Sequence, residues 1–205
     1  LREELEQVRM QIEKAEREGR ITDVPYDPSL PVNTAWDLGI ADSMAITFYQ
    51  APRGGQLRGI DYYEASGYGL DHYASVLDKR GYKYGKHFGP HDLAVRELGT
   101  GKSRVEVARS LGITFQVLPA LRVEDGINAV RMMLPRTWFD RKKAEPLLEA
   151  LRQYREKIDE KRGVSLGPLH DWTSHGADSA RYMAMSLREN TAERPIAYPK
   201  PKGIV

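Results

Sequence analysis

The stretch VNTAWDLGIADSMAITFYQAPRGGQLRGIDYYE, residues 32–64, reads as three short strands in a row. Val32 to Leu38 forms the first, Met44 to Tyr49 the second and Arg58 to Glu64 the third. The breaks between them, Gly39–Ser43 and Pro52-Arg53-Gly54-Gly55, carry turn residues. Connections this short make antiparallel neighbours, so the stretch predicts a three-stranded meander. One acid, Asp37, stands inside the first apolar run, where it is costly to bury without a partner.

Downstream, Leu70, Tyr73, Ala74 and Leu77 keep helical spacing over Leu70 to Lys79. His87-Phe88-Gly89 reads as a fourth strand, Val105 to Leu111 as a helix closed by Gly112, and Thr114 to Leu118 as a fifth strand stopped by Pro119. Two strands joined through a helix suggest parallel pairing. From Val123 onward the pattern is mostly helical. Ile127, Val130 and Leu134 share one face, and a second helix carries Leu147, Leu148, Leu151, Tyr154 and Ile158. A last helix begins near Thr173 and runs to about Leu187. Upstream, Leu1, Leu5, Val8, Ile12 and Ala15 make one apolar stripe on a charged helix that ends at Gly19 and is followed by a proline-rich linker. This helix is expected to dock on the domain or on a partner.

The predicted architecture is therefore α/β, a mixed five-stranded sheet of antiparallel meander plus parallel strands flanked by helices. That order matches the ribonuclease H-like fold, among several α/β options. The expected organisation is a helical linker or extension over 1–24, the α/β domain over 25–190 and an extended tail over 191–205.

Composition narrows the chemistry. The chain has 205 residues, 40% hydrophobic and 29% charged, the balance of a globular domain. Net charge is 31 − 29 = +2, which by itself does not indicate nucleic acid. With no cysteine, any metal must sit on Asp, Glu, His or carbonyl oxygens. No apolar run approaches the roughly 20 residues that span a bilayer, and no membrane partner is expected.

Three aspartates stand where a core element meets a loop: Asp37 at the end of the first strand, Asp92 after the fourth, and Asp178 in the first turns of the last helix. Three carboxylates gathered at one spot repel one another, and a site that tolerates this usually holds hard cations such as Mg²⁺ or Mn²⁺. Each also has a structural reading: Asp37 as the start of a turn, Asp92 as a helix cap, Asp178 as a surface residue near a helix start. His175 lies three residues before Asp178, placing it to serve as ligand, orienting group or proton shuttle, or as a structural histidine. His91 and His170 are weaker candidates, and Asp171 doubles as a possible cap of the last helix.

Gly99-Thr100-Gly101-Lys102-Ser103 has the look of a phosphate-binding loop, but position 96 is Arg where the pattern needs Gly, and no apolar strand leads into it. Ser103 capping a helix, with Glu106 at its third position, accounts for the stretch better. Basic residues cluster at Lys79, Arg80, Lys83 and Lys86, at Lys102, Arg104 and Arg109, and at Arg136, Arg141, Lys142 and Lys143. The first two groups flank Asp92 in sequence and could hold a DNA backbone, with Lys83, Lys86, Lys102 and Arg104 as candidates; a solvated face is the default reading.

At these residues the chain resembles the carboxy-terminal nuclease domain of phage large terminase subunits. Trp-Asp-Leu-Gly at Asp37, Tyr-Lys-Tyr-Gly-Lys-His-Phe-Gly-Pro-His-Asp up to Asp92, and His-Asp-Trp-Thr-Ser-His-Gly-Ala-Asp-Ser-Ala-Arg-Tyr around Asp178 carry the likeness. Gly-Ile-Asn-Ala-Val-Arg at 126–131 and Phe-Asp at 139–140 add to it, over about residues 31–188. The resemblance implies a ribonuclease H-like endonuclease that cuts concatemeric double-stranded viral DNA during genome packaging with two metal ions, in the cytoplasm of an infected bacterium. It implies metal ligands at Asp37, Asp92 and Asp178 with His175 beside them, and leaves open a further acid at Asp171 or Asp42. It also implies an ATPase motor domain before this one, with a small terminase subunit and a portal as partners. A junction resolvase or transposase-like nuclease of the same fold, or a non-catalytic module docking on DNA or a portal, are the rival readings.

Overall fold

A computed structural model of the chain describes residues 1–39, 43–96 and 101–192. The meander is present: β2 (Val32–Leu38), β3 (Ser43–Gln50) and β4 (Leu57–Ser66) pair antiparallel in sequence order. They follow α1 (Arg2–Arg17) and β1 (Ile21–Thr22). Next come α2 (Leu70–Arg80), β5 (Tyr84–Gly89), a single 3-10 turn over His91–Ala94, α3 (Arg104–Ser110) and β6 (Phe115–Val117). The chain then runs through α4 (Val123–Met133), β7 (Thr137–Asp140), α5 (Glu145–Gln153), the hairpin β8 (Glu156–Asp159) and β9 (Val164–Pro168), and α6 (Thr173–Ala192).

Among the described residues, seven strands make one sheet in the order β1-β7-β4-β3-β2-β5-β6. The five expected strands are β2 to β6, and β5 pairs parallel with both β2 and β6. The sheet is thus wider than the five strands that periodicity predicts. β1 has two residues and β7 four, too short for alternation to register. Both lie on the far side of β4, joined in parallel. The stretch after Val123 is also less helical than expected. Tyr154 closes α5 in an extended conformation, and Ile158 lies on β8 rather than on a continuing helix.

Alternation along β2 and β3 divides the core. Ala35, Ala45, Tyr49 and Tyr62 face the layer of α1, α4, α5 and α6, while Trp36, Leu38, Ile46 and Phe48 face α2 and α3. The apolar stripe of α1, Leu5, Val8, Ile12 and Ala15, is buried in the first of these layers. Asp37, next but one to Ala35, therefore belongs to the α6 side. Three polar contacts on one flank of α6 fix the helix along the sheet: His175 to Asp37, Ser179 Oγ to Thr47 Oγ1 at 2.8 Å, and Ser186 Oγ to Tyr49 Oη at 2.5 Å.

Candidate active site

Asp37 emerges at the carboxyl end of β2, between β3 and the parallel β5. Ala35 pairs with Phe88, so β5 ends beside it, and Pro90 leads into the 3-10 turn that carries the exposed Asp92. α6 starts at the same end of the sheet. Asp171 sets that start: its Oδ1 accepts bonds from the backbone N–H of Thr173 at 2.9 Å and from the Thr173 hydroxyl at 2.6 Å. One turn later Gly176 lets the helix lie close. A Cβ there would stand 2.8 Å from Ala150 Cβ and 3.2 Å from the Tyr62 hydroxyl.

The result is a contact between distant parts of the sequence. His175 Nδ1 lies 3.0 Å from Asp37 Oδ2, with side chains only 7% and 15% exposed. Burial raises the Asp37 pKa above the ordinary carboxylate value; the His175 hydrogen bond opposes this, and the negative charge of Asp178 adds to it. Asp178 is held by Arg181, whose Nε and Nη2 both donate to its Oδ1, at 3.0 and 2.6 Å. Tyr182, on the next position of α6, senses all three carboxylates. Its phenol is pushed above its usual range by burial first, then by Asp178, Asp37 and Asp92, with Arg181 opposing. A carboxylate held mostly out of water beside a second one is an anionic site, and oxygen donors with one imidazole suit a hard divalent cation. In their present rotamers these groups pair with each other, and among the described residues no three His, Asp or Glu side chains stand together closely enough to hold one ion.

No family model matches the chain, and no curated protein matches it in sequence. Solved structures do match it. The nuclease domain of the P22 large terminase aligns with a TM-score of 0.65 and 18% identity, over 83% of this chain and 89% of that one. The nuclease domain of the SPP1 large terminase, solved with bound Mn, aligns at 0.55 and 13% identity, over 78% and 86%. This is the fold of a phage large terminase nuclease domain. The large terminase of the thermophilic bacteriophage D6E, in complex with ADP, aligns at 0.64 and 17% identity over 85% of this chain. There the chain spans 44% of the matched protein's length.

Within the terminase nuclease fold, the expected residues separate into groups. His175 contacts Asp37, Asp178 acts on Asp37 through its charge from one turn along α6, and Asp92 stands exposed after the end of the neighbouring β5. Asp171 serves as the helix cap, and His170 lies beside it with Nδ1 3.2 Å from Ser174 Oγ and its ring 5.7 Å from that of His175. Asp42 lies outside the described residues, as do Gly99 and Thr100. Ser103 and Glu106 form the expected reciprocal cap of α3.

The basic candidates do not all flank the Asp92 turn. Arg104 Nη1 donates to the Leu38 carbonyl at 2.9 Å, beside Asp37, and Lys102 is two residues away. Lys83 precedes β5 at its opposite end, and Lys86 sits mid-strand where its N–H meets Asn33 Oδ1. Proximity in sequence to Asp92 conceals the length of the strand between them. Arg80 is occupied by Asp61, at 2.6 Å, with Tyr82 donating to the same oxygen.

Two residues escaped the sequence reading. Glu64 shares a cross-strand row with Asp37 through Ala45, and so shares its face; Tyr62 Oη donates to Glu64 Oε2 at 2.7 Å. Period-two register from Asp37 could have found it. Arg181 stood inside the quoted motif around Asp178, but was given no role of its own there.

Proposed function

We propose that this chain is the nuclease portion of a viral packaging terminase, a divalent-cation-dependent endonuclease that hydrolyses phosphodiester bonds in concatemeric double-stranded DNA. The observation that carries the reading is the His175–Asp37 contact at the carboxyl end of β2, with Asp178 near enough for its charge to act on the Asp37 carboxylate, on this fold. Asp37, Asp92 and Asp178 would hold Mg²⁺ or Mn²⁺ as two ions. Such ions supply water activation and neutralise charge on the scissile phosphate.

The chain's own residues do the rest. Asp37, short of solvent, has its carboxylate oriented by His175, which can also accept or return a proton at the imidazole. Arg104, at the Leu38 carbonyl beside Asp37, and Lys102, two residues before it, would neutralise the flanking DNA backbone without reading sequence. Lys86 lies further back on β5 and Lys83 just before it, where a longer duplex would reach them. An ATPase motor, the small terminase subunit and the portal would be partners in the assembled packaging machine, acting in the cytoplasm of the infected bacterium. Among the described residues no helix is long and apolar enough to cross a membrane.

The test is incubation of the chain with supercoiled plasmid and Mn²⁺. Nicking and linearisation are expected, abolished by chelator and by Asp37→Asn in a folded protein. Plasmid that stays supercoiled, or is merely retarded in the gel, would leave a DNA- or portal-docking module instead.

A further inference from the structure

The contact between Asp178 and Arg181 is asymmetric. An arginine facing a carboxylate commonly donates to both oxygens. Here Nε and Nη2 converge on Oδ1 alone, at 3.0 and 2.6 Å, and among the described residues no hydrogen bond is made to Oδ2. The guanidinium is itself withdrawn from water, with a side chain 11% exposed against 25% for Asp178. A charge buried to this degree needs a partner, and Asp178 is its ion pair among the described residues. Arg181 also acts on Asp37, opposing the upward shift that burial imposes there.

The neighbouring helix is shaped for this side chain. Gly126 lies inside α4, where glycine is unfavourable relative to alanine. A Cβ at Gly126 would stand 3.0 Å from Arg181 Cδ and 3.4 Å from its Cβ and Cγ. The aliphatic stem therefore passes across bare backbone, and the guanidinium ends 5.8 Å from the Tyr182 ring, against the carboxylates. Tyr154 and Tyr182 line the same space as neutral phenols.

We propose that Arg181 is a positioning residue, a resident counter-cation that neutralises Asp178 through Oδ1 while leaving Oδ2 open to a divalent ion. This rests on the reading of Asp178 as a metal ligand. Arg181 stabilises the metal-free site, and its charge then weakens metal binding, so that it sets how readily the site fills. A unit positive charge a few ångströms from a dication opposes it strongly even with partial screening.

The experiment compares wild type, Arg181→Met, Arg181→Lys, Asp178→Asn and the double variant Arg181→Met/Asp178→Asn by thermal melting with and without Mn²⁺ and by calorimetric Mn²⁺ titration. Arg181→Met should melt lower than wild type in chelator, gain more from Mn²⁺, and bind Mn²⁺ at least about tenfold more tightly, the change that 1.4 kcal/mol produces. Arg181→Lys, which keeps the charge, should stay within about threefold of wild-type affinity on the same argument. Asp178→Asn added to Arg181→Met should recover metal-free stability, because the uncompensated anion has gone. A lower melting point with unchanged Mn²⁺ affinity and no recovery in the double variant would reduce Arg181 to packing and overturn the proposal. If Arg181→Met does not fold, the double variant carries the test: a folded double variant supports the counter-cation, and an unfolded one beside a folded Asp178→Asn overturns it. Wild type that binds no Mn²⁺ overturns the metal-ligand reading itself, a result separate from failure of the Arg181 proposal alone.

Discussion

A charged carboxylate inside the apolar run of residues 32–38 is a feature that packing does not explain, and Asp37 was legible for that reason. Its partner was not, because His175 is 138 positions away and only the crossing of α6 over β2 joins them. His175 reaches Asp37 through Nδ1, so on the proposed function its loss would disorient the Asp37 carboxylate without removing it. His175→Ala is expected to slow plasmid cleavage by about 10²-fold at saturating Mn²⁺, with Asp37→Asn far slower still. Equal inactivity of the two variants would make the imidazole indispensable in its own right. A second histidine acts on stability instead. His87 is buried on the α2 side of the sheet, and burial depresses its pKa to about 4. Its Nδ1 lies 2.7 Å from Thr34 Oγ1, which also accepts the Trp36 indole N–H at 2.6 Å. In the unfolded chain a histidine titrates near 6.5. As pH falls from there towards 4, the unfolded state takes up a proton that the folded state refuses, so stability declines across that window, by up to about 3 kcal/mol. Urea midpoints measured between pH 4 and 7 should fall less steeply in His87→Gln than in wild type; parallel profiles would show that His87 does not contribute.

At the scale of elements, what the sequence revealed depended on length and on local chemistry. The meander carried enough residues for its turns to be read, and the cap of α3 was legible because Ser103 and Glu106 satisfy each other's neighbours within four residues. β1 and β7 were not, since both take their order from pairing with distant strands rather than from their own pattern. Phe139-Asp140, the dipeptide that adds to the resemblance, has an architectural role. Asp140 accepts the N–H groups of Val24, Lys142 and Lys143, which ties the linker and the entry of α5 to the end of β7. Phe139 covers Gly59 on β4, where a Cβ would stand only 2.5 Å from its ring. Gly59→Ala must therefore displace a fully buried ring, and overpacking of this kind costs about 1–3 kcal/mol. Chemical denaturation should show that loss, and Phe139→Leu added to Gly59→Ala should recover part of it. A Gly59→Ala protein as stable as wild type would mean that β4 and β7 separate without cost at this position.

At the scale of the whole molecule, the near-neutral net charge of +2 conceals an uneven arrangement. Asp37 and Asp178 lie towards the carboxyl end of the central strands, with Arg104 at the Leu38 carbonyl beside Asp37, and the fold, with His175 and Arg181 as partners, offsets the repulsion between them. The fold must supply the energy that keeps Asp37 and Asp178 close, so the metal-free protein is less stable than its core alone would make it. A divalent ion bound by the folded state and not by the unfolded chain relieves this, stabilising by about 1.4 kcal/mol when present at ten times its dissociation constant. For a domain of this size each kcal/mol raises the melting temperature by about 2–4 °C. Wild type is therefore expected to melt about 3–6 °C higher in Mn²⁺ than in chelator under those conditions. Asp37→Asn and Asp178→Asn should lose most of the gain, and Asp92→Asn part of it, since Asp92 stands exposed at the margin of the site. Equal ionic strength in every sample removes general screening from the comparison. If wild type and all three variants gain equally from Mn²⁺, the ion is binding elsewhere, Asp37, Asp92 and Asp178 do not act as one site, and the nuclease mechanism built on them fails.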